Sequence, residues 1–143
     1  MIPRIIANNI ISLLGSDKAI IIMGARQVGK STLLNTMLSS HDGVLWMNGD
    51  DLDIQQLFSQ MISTRIRAII GNHHVVVIDE AQRIPDIGIR LKLITDQVKG
   101  VQVIATGSSS FELANKVNEP LTGRKREFRM FPLTFSELVA HTN

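Results

Sequence analysis

Residues 19–34 read Ala19-Ile-Ile-Ile-Met-Gly24-Ala-Arg-Gln-Val-Gly29-Lys-Ser-Thr-Leu-Leu34. Ala19 to Met23 is a short, unbroken apolar run, the pattern of a strand buried on both faces. Gly24 to Ser31 has the form G-x-x-x-x-G-K-S, the phosphate-binding P-loop. From Ser31, apolar residues recur at Leu33, Leu34, Met37 and Leu38, the spacing of a helix that ends by Leu38. Strand, glycine loop and helix therefore follow in the order the motif requires. Gly24 and Gly29 give the loop conformations closed to other residues, so successive backbone N–H groups can converge on phosphate oxygens. The helix start adds its own unpaired N–H groups and its dipole. Lys30 is expected to reach the β- and γ-phosphates and Ser31 to offer its hydroxyl to Mg²⁺. Ala25, Arg26, Gln27, Val28 and Thr32 complete the cradle; Arg26 either touches phosphate or points outward.

Working outward, the chain alternates helix and strand. Pro3 to Leu14 reads as a helix stopped by Gly15, and Ser39 to Gly43 breaks the helix after the loop. Val44 to Asn48 is a second strand, closed by Gly49 and the acidic Asp50, Asp51 and Asp53. Asp53 is placed to cap a single helix carrying Leu57, Met61, Ile62, Ile66 and Ile69 as far as Gly71. Val75 to Asp79 is a third strand. Asp86 is placed to cap a helix through Ile87, Leu91, Ile94 and Val98, ended by Gly100. Val101 to Ala105 is a fourth strand, followed by Thr106-Gly-Ser-Ser-Ser110 and a short helix over 111–117. The basic segment Gly123 to Arg129 leads into a fifth strand near Phe128 to Phe131, and Thr134-Phe-Ser-Glu137 has the form of a capping box. Strands alternating with helices imply an α/β fold with a parallel sheet covered on both faces.

Val76-Val-Ile-Asp-Glu80 carries the second chemical signal. An apolar strand ending in two carboxylates places them at the sheet's C-terminal edge, beside the loop. Asp79 is expected to hold Mg²⁺ as Walker-B aspartates do, and Glu80 to orient and polarise an attacking water. A third signal is Ser108-Ser-Ser110. A hydroxyl there could bond the γ-phosphate or the water, the role called sensor 1, with Ser108 first and Thr106 and Ser109 next. Serines at a strand-to-helix turn are equally ordinary helix caps.

Composition bounds what else the chain can be. At 143 residues with 44% apolar content it is long enough for one domain with a core. It has no cysteine, so neither disulfides nor thiolate metal sites arise, which suits the cytoplasm. Its apolar runs are far short of a membrane span, and Met1-Ile-Pro-Arg4 lacks the form of a signal peptide. A net charge of +2 is weak evidence for a nucleic-acid partner. Arg124, Lys125, Arg126 and Arg129 could include an arginine finger, in cis or from a neighbouring copy in a homo-oligomer. They could also form a DNA-binding patch or simply a solvated basic face. His73 and His74, adjacent at the start of a strand, face opposite sides and make a poor metal pair. Trp46, with few other aromatics, offers no base-stacking platform. Asn115-Lys-Val-Asn118 narrowly misses the guanine-reading N-K-x-D because Asn118 lacks the carboxylate. Adjacent Asp79 and Glu80 favour activated water over the acceptor of a small-molecule kinase.

Gly24-Ala-Arg-Gln-Val-Gly-Lys-Ser31, Val-Ile-Asp-Glu-Ala-Gln82, Thr106-Gly-Ser-Ser, Leu121-Thr-Gly-Arg124 and Pro132-Leu-Thr-Phe-Ser-Glu137 occur together and in this order. In this the chain resembles the prokaryotic AAA-domain ATP-binding proteins of the AAA_14 type, relatives of the archaeal-ATPase and AAA+ groups. The resemblance implies a three-layer P-loop NTPase with a five-stranded parallel sheet in the order 5-1-4-3-2. It also implies ATP, Mg²⁺ and ATP hydrolysis. It implies phosphate and metal roles for Lys30 and Ser31, metal binding for Asp79, water activation for Glu80 and a charge-sensing role for Arg124. Ser31 stands where Thr is frequent, which keeps the hydroxyl. The family usually carries a further C-terminal region after the helix that opens at Thr134, so residues 1–143 read as an ATPase domain without its output module. The expected function is Mg-dependent ATP binding and hydrolysis coupled to a conformational output on a partner domain or macromolecule. The alternative is a nucleotide-dependent switch with little hydrolysis, for which Glu80 would be unnecessary.

Overall fold

The computed structural model describes residues 18–24, 30–39, 42–60, 63–98, 100–107, 123 and 125–130. The helices expected over 3–14 and 111–117, the loop residues 25–29, the Ser108 to Ser110 turn, Arg124 and the capping box at Thr134 lie outside the described residues.

Five parallel strands form one sheet: β1 (Ala19–Gly24), β2 (Val44–Asn48), β3 (Val75–Asp79), β4 (Gln102–Gly107) and β5 (Lys125–Met130). Their spatial order is β2-β3-β4-β1-β5, which is the expected 5-1-4-3-2 read from the other edge. The described helices are α1 (Lys30–Leu38), α2 (Leu52–Ser59), α3 (Ser63–Ile70) and α4 (Ile87–Gln97), with a 3-10 turn at Ala81–Arg83.

The topology decides which helices cover which face. From β1 the chain crosses β4 and β3 to reach β2, then steps back through β3 to β4. Right-handed crossovers in opposite directions place their helices on opposite faces. Packing agrees. Ala19, Ile21, Met23, Met47, Val76, Ile78, Val103 and Ala105 join Phe58 of α2, Ile66 and Ile70 of α3, and Ile87, Leu91 and Ile94 of α4 in one buried cluster. Leu34, Met37 and Leu38 of α1 are buried outside that cluster, and α1 contacts β1. The other face of the sheet presents the equally buried Ile20, Ile22, Val77 and Ile104.

The structure corrects five local expectations. The stretch after β2 forms two helices, because α2 closes at Gln60, whose N–H turns back to the Leu57 and Phe58 carbonyls. Its N-cap is Asp51, whose side chain accepts from the Asp53 N–H at 2.9 Å, so Asp53 sits one position inside the first turn. Asp86 stands at the α4 N-cap position in a left-handed conformation and makes no side-chain cap bond. β5 begins at Lys125, so the basic segment from Lys125 onward is part of the strand: Lys125 to Met130 pair in register with Ala19 to Gly24. β4 likewise runs on to Gly107, because Thr106 and Gly107 pair with Ile22 and Met23.

Candidate functional site

The C-terminal edge of the sheet holds Gly24, Asp79, Glu80 and Thr106 among the described residues that the sequence singled out. Gly24 ends β1 at this edge, and Lys30, Ser31 and Thr32 open α1. Asp79 ends β3. Only β4 lies between β3 and β1, which puts the two strands roughly 10 Å apart. β1 and the adjacent β4 lead into connections that run in opposite directions through the sheet, and such a switch point is where open α/β sheets bind ligands. Side-chain alternation then fixes the face. Asn48 pairs with Asp79, Ile78 with Ala105, and Thr106 with Ile22. Asn48, Asp79 and Thr106 therefore form one polar row on the face opposite the α2–α4 cluster, the side on which α1 packs.

Thr106 is fully buried and ties this row together. Its hydroxyl donates to Asp79 Oδ1 and accepts the Glu80 N–H at 3.2 Å. Glu80 N–H also reaches Asp79 Oδ1 at 3.1 Å. Of the three hydroxyl residues named after β4, Thr106 is thus the one the described structure connects to the carboxylates; Ser108 and Ser109 lie outside it.

Glu80 has φ 51° and ψ 46°, a left-handed conformation that is costly for a residue with a Cβ. Its neighbours determine it from several sides. The Glu80 carbonyl accepts from the Arg83 N–H at 3.1 Å, and Gly49 N–H donates to the Asp79 carbonyl at 2.6 Å. Gly49 is required for this approach: a Cβ there would lie 2.2 Å from the Glu80 carbonyl oxygen and 2.9 Å from its carbon. The Gln82 Nε2 donates to Glu80 Oε2 at 2.9 Å, and Gln82 is only 2% exposed. Gly49 read in the sequence as a simple strand stop, and Gln82 only as part of a motif. Neither contact has a signature in spacing, because each depends on which strands meet.

Several other charged groups have structural partners. Asp51 caps α2, and Asp50 pairs with Arg83 at 3.3 Å, both side chains about half exposed, so the pair contributes under about 1 kcal/mol. Among the described residues no three His, Asp or Glu side chains come together as a metal cluster. His73 and His74 lie in the turn before β3 at the opposite edge of the sheet, where His73 Nδ1 donates to the Ile70 carbonyl at 2.7 Å. Lys125 pairs with Glu127 two residues along the edge strand, both partly buried, so its charge is already matched.

Residues 16–139 match the sequence profile of the AAA domain, AAA_14. The chain belongs to the AAA domain family. Relatives of this AAA domain include the uncharacterized proteins Rv2008c of Mycobacterium tuberculosis and Mb2031c of Mycobacterium bovis. Each is 29% identical over 120 residues, covering 83% of this chain. The chain spans about a quarter of these relatives' length, 26%. Among solved structures, the Walker-type ATPase PABY2304 of Pyrococcus abyssi superposes with a TM-score of 0.69 at 16% identity, over 96% of this chain and 55% of that one. Drosophila ORC bound to DNA gives a TM-score of 0.63 at 13% identity, over 95% and 94%. At these identities the likeness shows the fold, that of P-loop ATPases. No described helix is long and apolar enough to cross a membrane.

Proposed function

We propose that this AAA domain binds ATP with Mg²⁺ on the Gly24 to Thr32 loop and hydrolyses it, and that the cycle drives a conformational output on a partner domain or macromolecule. The observation that carries the reading is the Asp79–Glu80 turn: two adjacent carboxylates at the sheet edge where Gly24 ends β1, with a backbone fixed by Thr106 and Gly49. A strained, over-determined acidic turn at a ligand edge is what preorganised chemistry needs.

In this reading Gly24, Ala25, Arg26, Gln27, Val28 and Gly29 cradle the phosphates, Lys30 neutralises them, and Thr32 supports the helix start. Asp79 and Ser31 are hard oxygen donors of the kind Mg²⁺ takes, and they would hold the ion. When bound, Mg²⁺ would withdraw charge from the phosphate oxygens. Glu80 orients the attacking water and accepts its proton. Ser108 would contact the γ-phosphate, and Arg124 would sense its charge, in cis or from a neighbouring copy. DNA is one candidate macromolecule, supported by the fold shared with Drosophila ORC bound to DNA. The cysteine-free composition suits a cytoplasmic setting.

The test is Mg-ATP binding and turnover by the wild-type chain and by Lys30→Ala, each with and without DNA. The expected result is binding and turnover in the wild type and loss of tight binding in the variant. Stimulation by DNA would support that partner. Equal ATP affinity in the two proteins would overturn the site.

A further inference from the structure

Gln82 has no role in the reading above, yet its surroundings give it one. It sits in the middle of the Ala81–Arg83 turn, between Ala81 and Ile84, both fully buried in the α2–α4 cluster. The apolar neighbours fix the turn, and with it the place from which the Gln82 side chain starts. Burying a primary amide in such a setting is unfavourable unless it is hydrogen-bonded. Its Nε2 donates to Glu80 Oε2 at 2.9 Å.

The backbone of Glu80 is held by Gly49, Asp79, Thr106 and Arg83, as described above. Those contacts fix where the side chain begins, not where it ends. A glutamate has three side-chain torsions between its Cα and its carboxylate, so a fixed backbone still leaves the reacting oxygens free to swing. A base has to present its carboxylate within hydrogen-bond reach of the water that it deprotonates. The bond from Gln82 supplies the missing constraint at the far end of the side chain. A neutral amide is also the suitable donor. A cation in the same place would favour the carboxylate's charged form far more strongly and so oppose proton uptake.

We propose that Gln82 is a positioning residue: its amide holds the Glu80 carboxylate in the orientation from which it activates water. The inference rests on the reading of Glu80 as the base. Gln82 touches neither nucleotide nor water in this role and acts through Glu80.

The test compares wild type, Gln82→Met and Glu80→Gln. Methionine keeps the length and apolar bulk of the stem and removes the donor. Gln82→Met is expected to lower kcat about tenfold, the worth of one hydrogen bond to a charged group, with KM for ATP, nucleotide Kd and Tm unchanged. Glu80→Gln is expected to lose turnover while still binding nucleotide. If Glu80→Gln is inactive and Gln82→Met turns over like wild type, the role of Gln82 is overturned and that of Glu80 stands. If Gln82→Met loses kcat, nucleotide affinity and Tm together, Gln82 is a packing residue and the inference fails. If wild type has no turnover, or Glu80→Gln retains it, both readings fail. A second measurement needs neither activity nor a Gln82 variant. The Gln82 side-chain amide protons should exchange slowly in wild type, and their resonances should move toward those of a solvated glutamine in Glu80→Ala. Identical amide resonances in the two proteins would overturn the contact itself.

Discussion

Glu80 and Asp86 bracket one short stretch between β3 and α4, and both adopt the left-handed backbone conformation, with φ 51° and 56°. They are the non-glycine residues of the described structure that do so. Their surroundings differ. Glu80 is clasped between Gly49 of the β2 end and Thr106 of the β4 end, with its carbonyl and its N–H both bonded. Asp86 is exposed; its carbonyl accepts from the Arg90 N–H as α4 starts, and its side chain does not cap the helix. The same dihedral strain is thus imposed by three strands in one case and by a helix start in the other. Strain held in place by many independent contacts belongs where a side chain must be aimed, and strain at an exposed helix entry is local geometry.

Substitutions can separate the two turns. The largest effect on stability is expected from Gly49→Ala. A methyl 2.2 Å from the Glu80 carbonyl oxygen meets backbone that has no room to yield, and should cost about 3 kcal/mol or more. Thermal denaturation should show this as a large fall in Tm, and turnover should fall with it as Glu80 is pushed out of place. Next comes Thr106→Val, which keeps the shape and removes the hydroxyl shared by Asp79 and Glu80. Denaturant titration should register about 1–2 kcal/mol, with a larger proportional loss in kcat than in nucleotide affinity. The smallest effects come from relieving the strain with glycine. Glu80→Gly sets that relief against loss of the acceptor for the buried Gln82 amide and should change stability little, whereas Asp86→Gly should gain up to about 1 kcal/mol. Only the first should abolish turnover. A loss of activity in Asp86→Gly would erase the distinction between the turns.

The sequence made the centre of the sheet plain and its edges less so. β1 and β3 are continuous apolar runs because they are covered on both faces, and composition alone marks such strands. β5 reads Lys-Arg-Glu-Phe-Arg-Met, and its first residues resemble a solvated basic loop. It is a strand because β1 offers it a ladder of backbone partners, an interaction that does not appear in its own composition. The break between α2 and α3 was hidden for a related reason. The apolar stripe continues past Gln60 at helical spacing, and no glycine or proline announces the stop. Among the candidate site residues, Gly24, Lys30, Asp79 and Glu80 could be assigned to strand ends and a helix start by residue type and order. Gly49 and Gln82 were not legible, since they act through contacts made only when β2 and the 3-10 turn meet the end of β3. Thr106 could be ranked only among its hydroxyl neighbours until its bonds to Asp79 and Glu80 were seen.

The central claim is that the clasped turn carries a base for ATP hydrolysis. The most direct measurement is a parallel determination of Mg-ATP binding and turnover in wild type and Glu80→Gln. The account predicts near-equal nucleotide affinity and a fall in kcat of about 10²–10⁴, the range supplied by a positioned general base. Undiminished turnover in Glu80→Gln would contradict it.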